Sequence, residues 1–138
     1  MDFFDVLQSR RSIRNFNTRP VEQDKVRTLL EAANSAPSAG NLQAYEIYLV
    51  TRKEDRSKLA RAALEQWFIA EAPIALVFCA NPQRSAQRYG KRGASLYAVQ
   101  DATIACTFAM LAATALGLAT VWVGAFDDDS VRHAIKAP

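Results

Sequence analysis

The 138-residue sequence contains few of the residues from which disulfide frameworks, metal sites and nucleophilic dyads are built. It has two cysteines, Cys79 and Cys106, one histidine, His133, and no Cys-x-x-Cys pair. Both cysteines lie in apolar runs, where a thiol usually behaves as a small buried hydrophobe. His133 has no evident serine or cysteine partner. We therefore expect no disulfide framework, no metal site and no histidine-dependent nucleophile.

Signatures of nucleotide-binding loops, hydrolases and secreted proteins are also missing. No G-x-G-x-x-G, G-K-[ST] phosphate loop, H-E-x-x-H or G-x-S-x-G string occurs. The N-terminus does not have the basic and then apolar pattern of a signal peptide. Residues 102–126 are uncharged over a length that could cross a bilayer, but they are rich in alanine and threonine. We interpret them as a buried helix followed by a buried strand, in a cytoplasmic protein without a membrane segment.

The composition is typical of one globular domain spanning residues 1–138. Half of the residues are hydrophobic and 22% are charged. The net charge of +3 is lower than is usual for a nucleic-acid-binding domain, so we expect no nucleic-acid partner. Basic residues do cluster at positions 10–14 and 84–92, and such clusters suit an anionic small ligand as well as a polyanion.

Hydrophobic periodicity predicts the order helix, helix, strand, helix, strand, long helix, strand, helix, which indicates a sandwich built on one sheet. The predicted strands are Tyr45–Thr51, Ile74–Ala80 and Thr120–Ala125, and the second is apolar throughout, as a strand covered on both faces would be. The predicted helices include Glu22–Asn34 with an apolar stripe, Glu54–Glu65 with Leu64 on its inner face, and Asp127–Ile135 with Asp127 as its N-cap. Between the last two strands, Asn81–Gly93 is predicted as a polar, mobile surface segment. Three strands are few for a sheet with two covered faces, so we expect another strand from this chain or from a partner.

The long helix, Ala94–Leu116, presents an unusually small face, which allows close approach of a second helix. Gly117 follows it at the position where a helix commonly ends on glycine. The residues of the small face are Ala98, Ala102, Ala105, Ala109, Ala112 and Ala113.

Three segments have residue types suited to a polar or anionic ligand. Arg10-Arg11-Ser12-Ile13-Arg14 offers guanidinium forks and a hydroxyl to a phosphate, or it is a solvated basic turn or a kinase recognition site. Pro37–Gln43 combines small residues with uncharged donors, which suit a heterocycle or a polyol, or it is a plain helix-to-strand connection. In Trp122–Phe126, Gly124 would let the backbone approach a flat ligand, or it marks a bend at a strand end.

In this order, the three segments resemble the FMN-dependent nitroreductase family. Arg10–Phe16 resembles the R-x-S-x-[RK]-x-F opening of that family, and Ala36–Gln43 its A-P-S-x-x-N-x-Q loop. Glu71-Ala72-Pro73-Ile74 resembles the entry to its next strand. Residues 101–126 resemble its long core helix and the strand after it. The match spans nearly the whole chain.

The resemblance implies an α+β, three-layer sandwich, with one mainly antiparallel sheet, helices on both faces and an intertwined homodimer. FMN would lie at the subunit interface, and the alanine-rich helix would be the dimer seam. NAD(P)H would deliver a hydride to flavin N5, and a nitroaromatic, a quinone or a similar electrophile would then accept two electrons in a ping-pong reaction. No protein side chain would be catalytic in its own right, because the chemistry would take place on FMN.

The resemblance also assigns cofactor-binding residues. One subunit would hold the FMN phosphate and the pyrimidine edge, its partner would supply a polar loop, and two backbone positions would lie beside N5 and O4. The residues are Arg10, Arg11, Ser12 and Arg14 for the first group, Pro37, Ser38, Ala39, Asn41 and Gln43 for the loop, and Gly124 and Ala125 for the backbone positions.

Two departures from the family pattern leave alternatives open. Ala44-Tyr45 stands where many members have Pro-Trp. Members usually continue past the helix at residues 127–135 with a strand and a crossing tail, so the chain is expected to be short at its C-terminus. The alternatives are another flavin reaction on the same fold, namely dehalogenation or flavin fragmentation, and a non-catalytic dimer. Such a dimer would bind flavin, or it would bind a polyanion through Arg84–Arg92 with Tyr89.

Overall fold

A computed structural model describes all residues, Met1–Pro138. The chain forms seven α-helices and two β-strands, with short 3-10 and π-helical turns between them. In chain order the elements are α1 Phe3–Ser9, α2 Gln23–Asn34, β1 Tyr45–Val50, α3 Lys53–Ala62, α4 Phe68–Glu71, β2 Ala75–Ala80, α5 Pro82–Arg92, α6 Ala98–Ala115 and α7 Asp128–Ile135.

The residues group into two compact units. Unit 1 comprises Met1–Arg10, Glu22–Ile47 and Phe78–Leu118. Unit 2 comprises Arg11–Val21, Tyr48–Val77 and Ala119–Pro138. Strands β1 and β2 each contribute residues to both units, and every other helix and strand lies within one unit.

The sheet is smaller than predicted. Strands β1 and β2 form an antiparallel pair, and the Asn81 N–H donates to the Ala44 C=O at 2.7 Å beyond the strand ends. The predicted third strand, Thr120–Ala125, is wrong: only Thr120 pairs, in an isolated parallel bridge with Ser12. A strand needs a backbone partner along successive residues, and Ser12 provides one for a single residue.

Strand β2 is also less covered than its apolar sequence predicted. All six of its residues are half-buried, whereas a strand covered on both faces would be fully buried. In unit 1, Ile47 of β1 and Phe78 and Ala80 of β2 pack against the buried cluster formed by α2, β1 and α6. The residues of that cluster are Ala33, Tyr45, Ala102, Ala105 and Ala109.

The alanine face of α6 is used within the chain. Helix α6 packs on α2 in unit 1, and the side chains of Ala98, Ala105 and Ala113 are almost inaccessible to solvent. The small side chains of this face are therefore covered by α2 and the strand residues of the same chain. That α6 forms the dimer seam stays a prediction, and the helix would do so through its other surface. Ala112 is half-buried. The surface that α6 leaves exposed carries larger apolar groups instead, among them Val99 and Phe108.

The helical run Pro82–Ala115 is long and apolar enough to cross a membrane, judged by length and composition alone. The core helix of a soluble protein passes the same test. The burial of the α6 alanines in unit 1 favours the interpretation as a core helix.

The segment predicted to be mobile and irregular is the helix α5. Pro82 occupies the first turn, where its missing N–H costs nothing, and the Asn81 side chain accepts a hydrogen bond from the Arg84 N–H at 3.1 Å. Gly90, with φ 58° and ψ −140°, interrupts the helix in a conformation that essentially only glycine adopts, and the chain then returns to helix. The glycine therefore bends a helix here and does not end it.

Unit 2 is built on α3, α4 and α7. Val50, Leu59 and Ala134 form its buried cluster. Helix α3 ends at Ala62, earlier than the predicted Glu65. Leu64 and Glu65 have φ near 60°, which turns the chain and leaves Leu64 70% exposed and not on the predicted inner face.

Arg56 of α3 joins this helix to the end of α4. Its guanidinium donates to the carbonyl of Ala70 at 2.5 Å and to that of Ala72.

The predicted capping of α7 is confirmed: the Asp127 side chain accepts from the Ser130 N–H at 2.9 Å and from its hydroxyl at 2.6 Å. These hydrogen bonds from Ser130 lower the pKa of Asp127.

Gly93 provides a test of the packing between α5 and the π-helical turn Gly93–Tyr97. A Cβ at this position would lie 2.6 Å from the Ser85 carbonyl oxygen, and Ser85 is fully buried. We expect Gly93→Ala to lower the free energy of unfolding by about 1–3 kcal/mol in urea denaturation, because backbone must move to admit the methyl group. Gly124→Ala is the control, since its nearest neighbour would be 3.8 Å away. Equal stability of the two variants would contradict this packing.

Cys106 on α6 is expected to react slowly. Burial raises the pKa of the Cys106 thiol to about 11. Because the thiolate is the nucleophile, we expect iodoacetamide at pH 8 to label Cys106 about a hundredfold more slowly in the native than in the urea-unfolded protein. The rate should rise as the pH approaches 11. Peptide mass spectrometry, with Cys106→Ala to assign the label, measures both rates, and similar rates in the two states would refute the expectation.

Candidate functional site

The basic segment of unit 2 is fixed by one short backbone pairing. Ser12 forms its parallel bridge with Thr120, and the N–H of the next residue, Ile13, donates to the Thr120 C=O at 3.0 Å. This pairing positions Arg11 and Arg14, which lie on either side of the bridged residues. The segment is therefore attached to the chain that follows α6.

The guanidinium groups of this segment have no acidic partner. Arg11 and Arg14 are exposed, and neither takes part in any of the four ion pairs of the structure. The Oγ1 of Thr120 is buried and has no hydrogen-bond partner. An unpaired buried hydroxyl beside two unneutralised arginines suits an anion or a polar group that supplies the missing contacts.

Arg10 belongs to unit 1, where it follows α1. Its backbone N–H donates to the Val6 C=O at 3.0 Å, and the residue is half-buried. The capping box formed by Asp2 and Asp5 fixes the other end of α1. The position of Arg10 therefore depends on the orientation of this helix.

The polar loop Pro37–Gln43 also lies in unit 1, and it is tightly folded. A 3-10 turn covers Ala39–Asn41, where Gly40 and Asn41 have φ of 61° and 56°. The Gln43 N–H donates to the Ser38 Oγ at 3.0 Å, and the Gln43 Nε2 donates to the Asn41 Oδ1 at 2.9 Å. The polar side chains of the loop thus hold one another in place.

Asp101 is the residue of this region that the sequence analysis missed. It lies in the first turn of α6 and is only 3% exposed. Its carboxylate accepts from the Ala39 N–H at 3.1 Å and from the Ala44 N–H at 3.2 Å, so it holds the first residue of the turn and the residue that follows the loop. The sequence signal that could have indicated Asp101 is that it is the single charged residue of a helix that is otherwise uncharged.

Tyr45, which stands at one of the departures from the family pattern, is buried beside this carboxylate. Its hydroxyl donates to the Asn34 Oδ1 at 2.9 Å. Burial and the nearby charge of Asp101 raise the pKa of Tyr45, while Arg84 acts in the opposite direction. Tyr45 is thus part of the support beneath the loop.

Gly124 and Ala125 are exposed and lie in unit 2, as do Arg11, Ser12 and Arg14. The Ala125 C=O accepts from the Gln66 Nε2 at 3.1 Å, and the Asp127 N–H donates to the Ala62 C=O at 2.8 Å. No internal packing requires a glycine at 124. An exposed glycine that directly precedes anchored residues leaves room for a flat ligand against the backbone.

The site residues assigned from the sequence therefore fall into two sets. Unit 1 holds Arg10, Pro37, Ser38, Ala39, Asn41 and Gln43, and unit 2 holds Arg11, Ser12, Arg14, Gly124 and Ala125. No group of three or more histidine, cysteine, aspartate or glutamate side chains could hold a metal ion.

Comparison with known proteins gives a consistent result. The model of the nitroreductase family matches residues 7–83 and 66–138. A putative nitroreductase from Methanocaldococcus jannaschii is 34% identical, over 96% of this chain and 83% of its own length. An FMN reductase [NAD(P)H] from Bacillus subtilis is 35% identical, over 86% of this chain and 52% of its own length. The chain thus spans about half of the second relative.

A solved structure shows the same fold. The chain is similar to a hypothetical oxidoreductase from Bacillus subtilis, with a TM-score of 0.90 and 31% identity. The similarity covers 100% of this chain and 61% of that one. The predicted α+β fold with an antiparallel sheet is confirmed.

The clamp formed by Asp101 can be tested with an isosteric change. In Asp101→Asn one oxygen is replaced by an N–H₂ group that cannot accept from a backbone N–H. We expect unfolding free energy to fall by about 1.5–3 kcal/mol in urea denaturation, as for a lost hydrogen bond to a charged group. Hydrogen exchange at the Ala39 and Ala44 amides should also become faster.

The control is Asp129→Asn, which changes an exposed carboxylate on α7 paired with Arg132. We expect little loss of stability there, because exposed ion pairs contribute little. Unchanged exchange at Ala39 and Ala44 in Asp101→Asn would show that the carboxylate does not hold the loop.

Proposed function

The chain belongs to the nitroreductase family, and on that premise we propose that it is an FMN-dependent oxidoreductase that uses NAD(P)H. The observation that carries the proposal is the Ser12–Thr120 bridge. It holds two exposed, unpaired arginines beside a buried hydroxyl without a partner, within the segment that has the family's opening motif. The relative named an FMN reductase [NAD(P)H] supports the same chemistry.

The residues present fit FMN in charge and in shape. Arg11 and Arg14 would neutralise the phosphate, or the negative charge that develops at the pyrimidine edge of a reduced flavin. Ser12 adds a short neutral donor. Gly124 and Ala125 would place backbone against the ring, where a side chain at 124 would obstruct it.

When bound, FMN supplies the redox chemistry, taking a hydride from NAD(P)H and giving two electrons to an electrophile such as a nitroaromatic or a quinone. This chain's residues bind, orient and neutralise. The loop Pro37–Gln43 would present uncharged donors to the polar parts of the cofactor. Asp101 would act as a positioning residue, since its carboxylate is buried and accepts from backbone N–H groups in and next to the loop.

We further propose that the active form is a cytoplasmic homodimer in which Pro37–Gln43 of one subunit and Arg11–Arg14 of the other bind the same FMN. Exposed apolar groups on α1 and α6 support the dimer. Phe3 and Phe4 pack edge to face at 5.7 Å and are 60% and 72% exposed, and Val99 is 52% exposed. An apolar surface of this kind is typical of an interface.

The cofactor and the reaction can be tested directly. Purified protein incubated with FMN should bind it, and the flavin absorbance near ~450 nm should bleach when NAD(P)H is added without oxygen. Steady-state rates against a quinone should give the parallel double-reciprocal lines of a ping-pong reaction. Protein that binds no FMN would refute the proposal.

The phosphate-binding role of Arg11 and Arg14 has a matched control at a nearby arginine outside the basic segment. We expect Arg11→Gln and Arg14→Gln each to raise the Kd for FMN about tenfold, because each removes a charge-assisted contact. Quenching of flavin fluorescence during titration measures the Kd. Arg19→Gln removes an equally exposed charge outside the motif and should change the Kd little. An equal rise of the Kd for FMN in all three variants would indicate that binding depends only on the net charge of the protein, and it would contradict a specific role of Arg11 and Arg14.

A further inference from the structure

A basic and aromatic cluster that the proposed function does not use lies on α5 and the turn that follows it. We call it the α5 cluster, and it consists of Arg88, Tyr89, Lys91, Arg92 and Tyr97. The rings of Tyr89 and Tyr97 meet edge to face, with centroids 5.2 Å apart. The guanidinium of Arg88 lies 5.4 Å from the Tyr89 centroid, and that of Arg92 lies 5.6 Å from the Tyr97 centroid.

The positive charge of this cluster is not compensated. Residues 81–100 contain four arginines and lysines and no aspartate or glutamate. Arg84 is already engaged, by the carboxylate of Glu46 and by the carbonyls of Gln43 and Tyr45. The remaining three, Arg88, Lys91 and Arg92, are exposed and take part in no ion pair.

The α5 cluster is in contact with the polar loop. A Cβ built on Gly40 would lie 2.5 Å from the Tyr89 hydroxyl oxygen and 3.1 Å from the Arg88 Nη1. Both groups therefore lie directly over the loop for which we propose a role in binding FMN. A ligand held by the cluster would be next to that loop.

The chemistry of the cluster selects an aromatic ring that carries a phosphate. Guanidinium planes stack on aromatic rings and also match phosphate oxygens bidentately, and a lysine adds a mobile third charge. The adenine and 2′-phosphate of NADPH combine these two features, whereas NADH has a hydroxyl in place of the phosphate. We propose that the α5 cluster binds the 2′-phosphoadenosine end of NADPH and makes NADPH the preferred reductant. This inference rests on the proposed function.

Binding can be measured without flavin. Calorimetric titration of the full chain should give a Kd for adenosine 2′,5′-bisphosphate at least about tenfold lower than for adenosine 5′-monophosphate, since the two differ only in the 2′-phosphate. The difference should shrink at high salt, because the contacts are exposed. It should be lost in Arg88→Gln and in Arg92→Gln.

The matched control is Arg61→Gln, which removes another arginine stacked on an aromatic ring. The Arg61 guanidinium lies 5.9 Å from the Trp67 centroid in unit 2. This variant should keep the preference for the bisphosphate. The proposal would be overturned if the unmodified protein bound the bisphosphate no more tightly than the monophosphate. It would also be overturned if Arg88→Gln and Arg92→Gln both kept the preference for the bisphosphate.

The second measurement uses the FMN-loaded enzyme. The ratio of kcat/KM for NADPH to that for NADH should fall about tenfold in Arg88→Gln and in Arg92→Gln and should stay constant in Arg61→Gln. If the ratio of kcat/KM for NADPH to that for NADH stays constant in all variants, the proposal is overturned. This holds also if the α5 variants lose activity only with anionic electron acceptors. If instead the protein binds no FMN, the calorimetric result still decides on the cluster, so the two failures are distinguishable.

Discussion

The candidate site depends on one buried carboxylate. Asp101 accepts hydrogen bonds from the N–H of Ala39, where the turn Ala39–Asn41 begins, and from the N–H of Ala44, just after the loop. The turn contains residues in the left-handed region that would be costly without such support. A buried charge is tolerated only when its hydrogen bonds are satisfied, so the carboxylate and the turn stabilise each other. The start of α6 and the loop are thereby one structural piece, and the α5 cluster touches that piece at Gly40.

The rest of unit 1 follows from the small side chains of α6. Alanines let α6 approach α2 closely, and this approach places the first turn of α6, with Asp101, beneath the loop. The helix thus has two roles along its length: apolar contact along its middle and polar support at its start. The larger apolar groups that remain outside, such as Val99 and Phe108, are available to another surface.

Local features were predictable from the sequence, and long-range ones were not. The cap at Asp127, the glycine after α6 and the apolar stripe of α2 each depend on residues within one or two turns, and all three were confirmed. The loop and the basic segment were located by their residue types. The role of Asp101 could not be predicted, because its partners are 62 and 57 positions away. The strand predicted from Thr120 failed for a similar reason, since its partner contributes one residue.

The contact between Gly40 and Tyr89 has a consequence for how the protein can vary. Because the tyrosine hydroxyl occupies the volume that a side chain at position 40 would need, glycine there is fixed by its neighbour as well as by its own backbone angle. The exposed side chains of Arg88 and Arg92 are constrained less tightly, because they contact tyrosine rings and, for Arg92, the Tyr97 hydroxyl, but no acidic partner. Positions 88, 91 and 92 can therefore be exchanged in a combinatorial library with less effect on the shape of the loop than an exchange of Gly40 or Tyr89 would have. The proposed ligand preference and the architecture of the loop are thus largely separable in this chain.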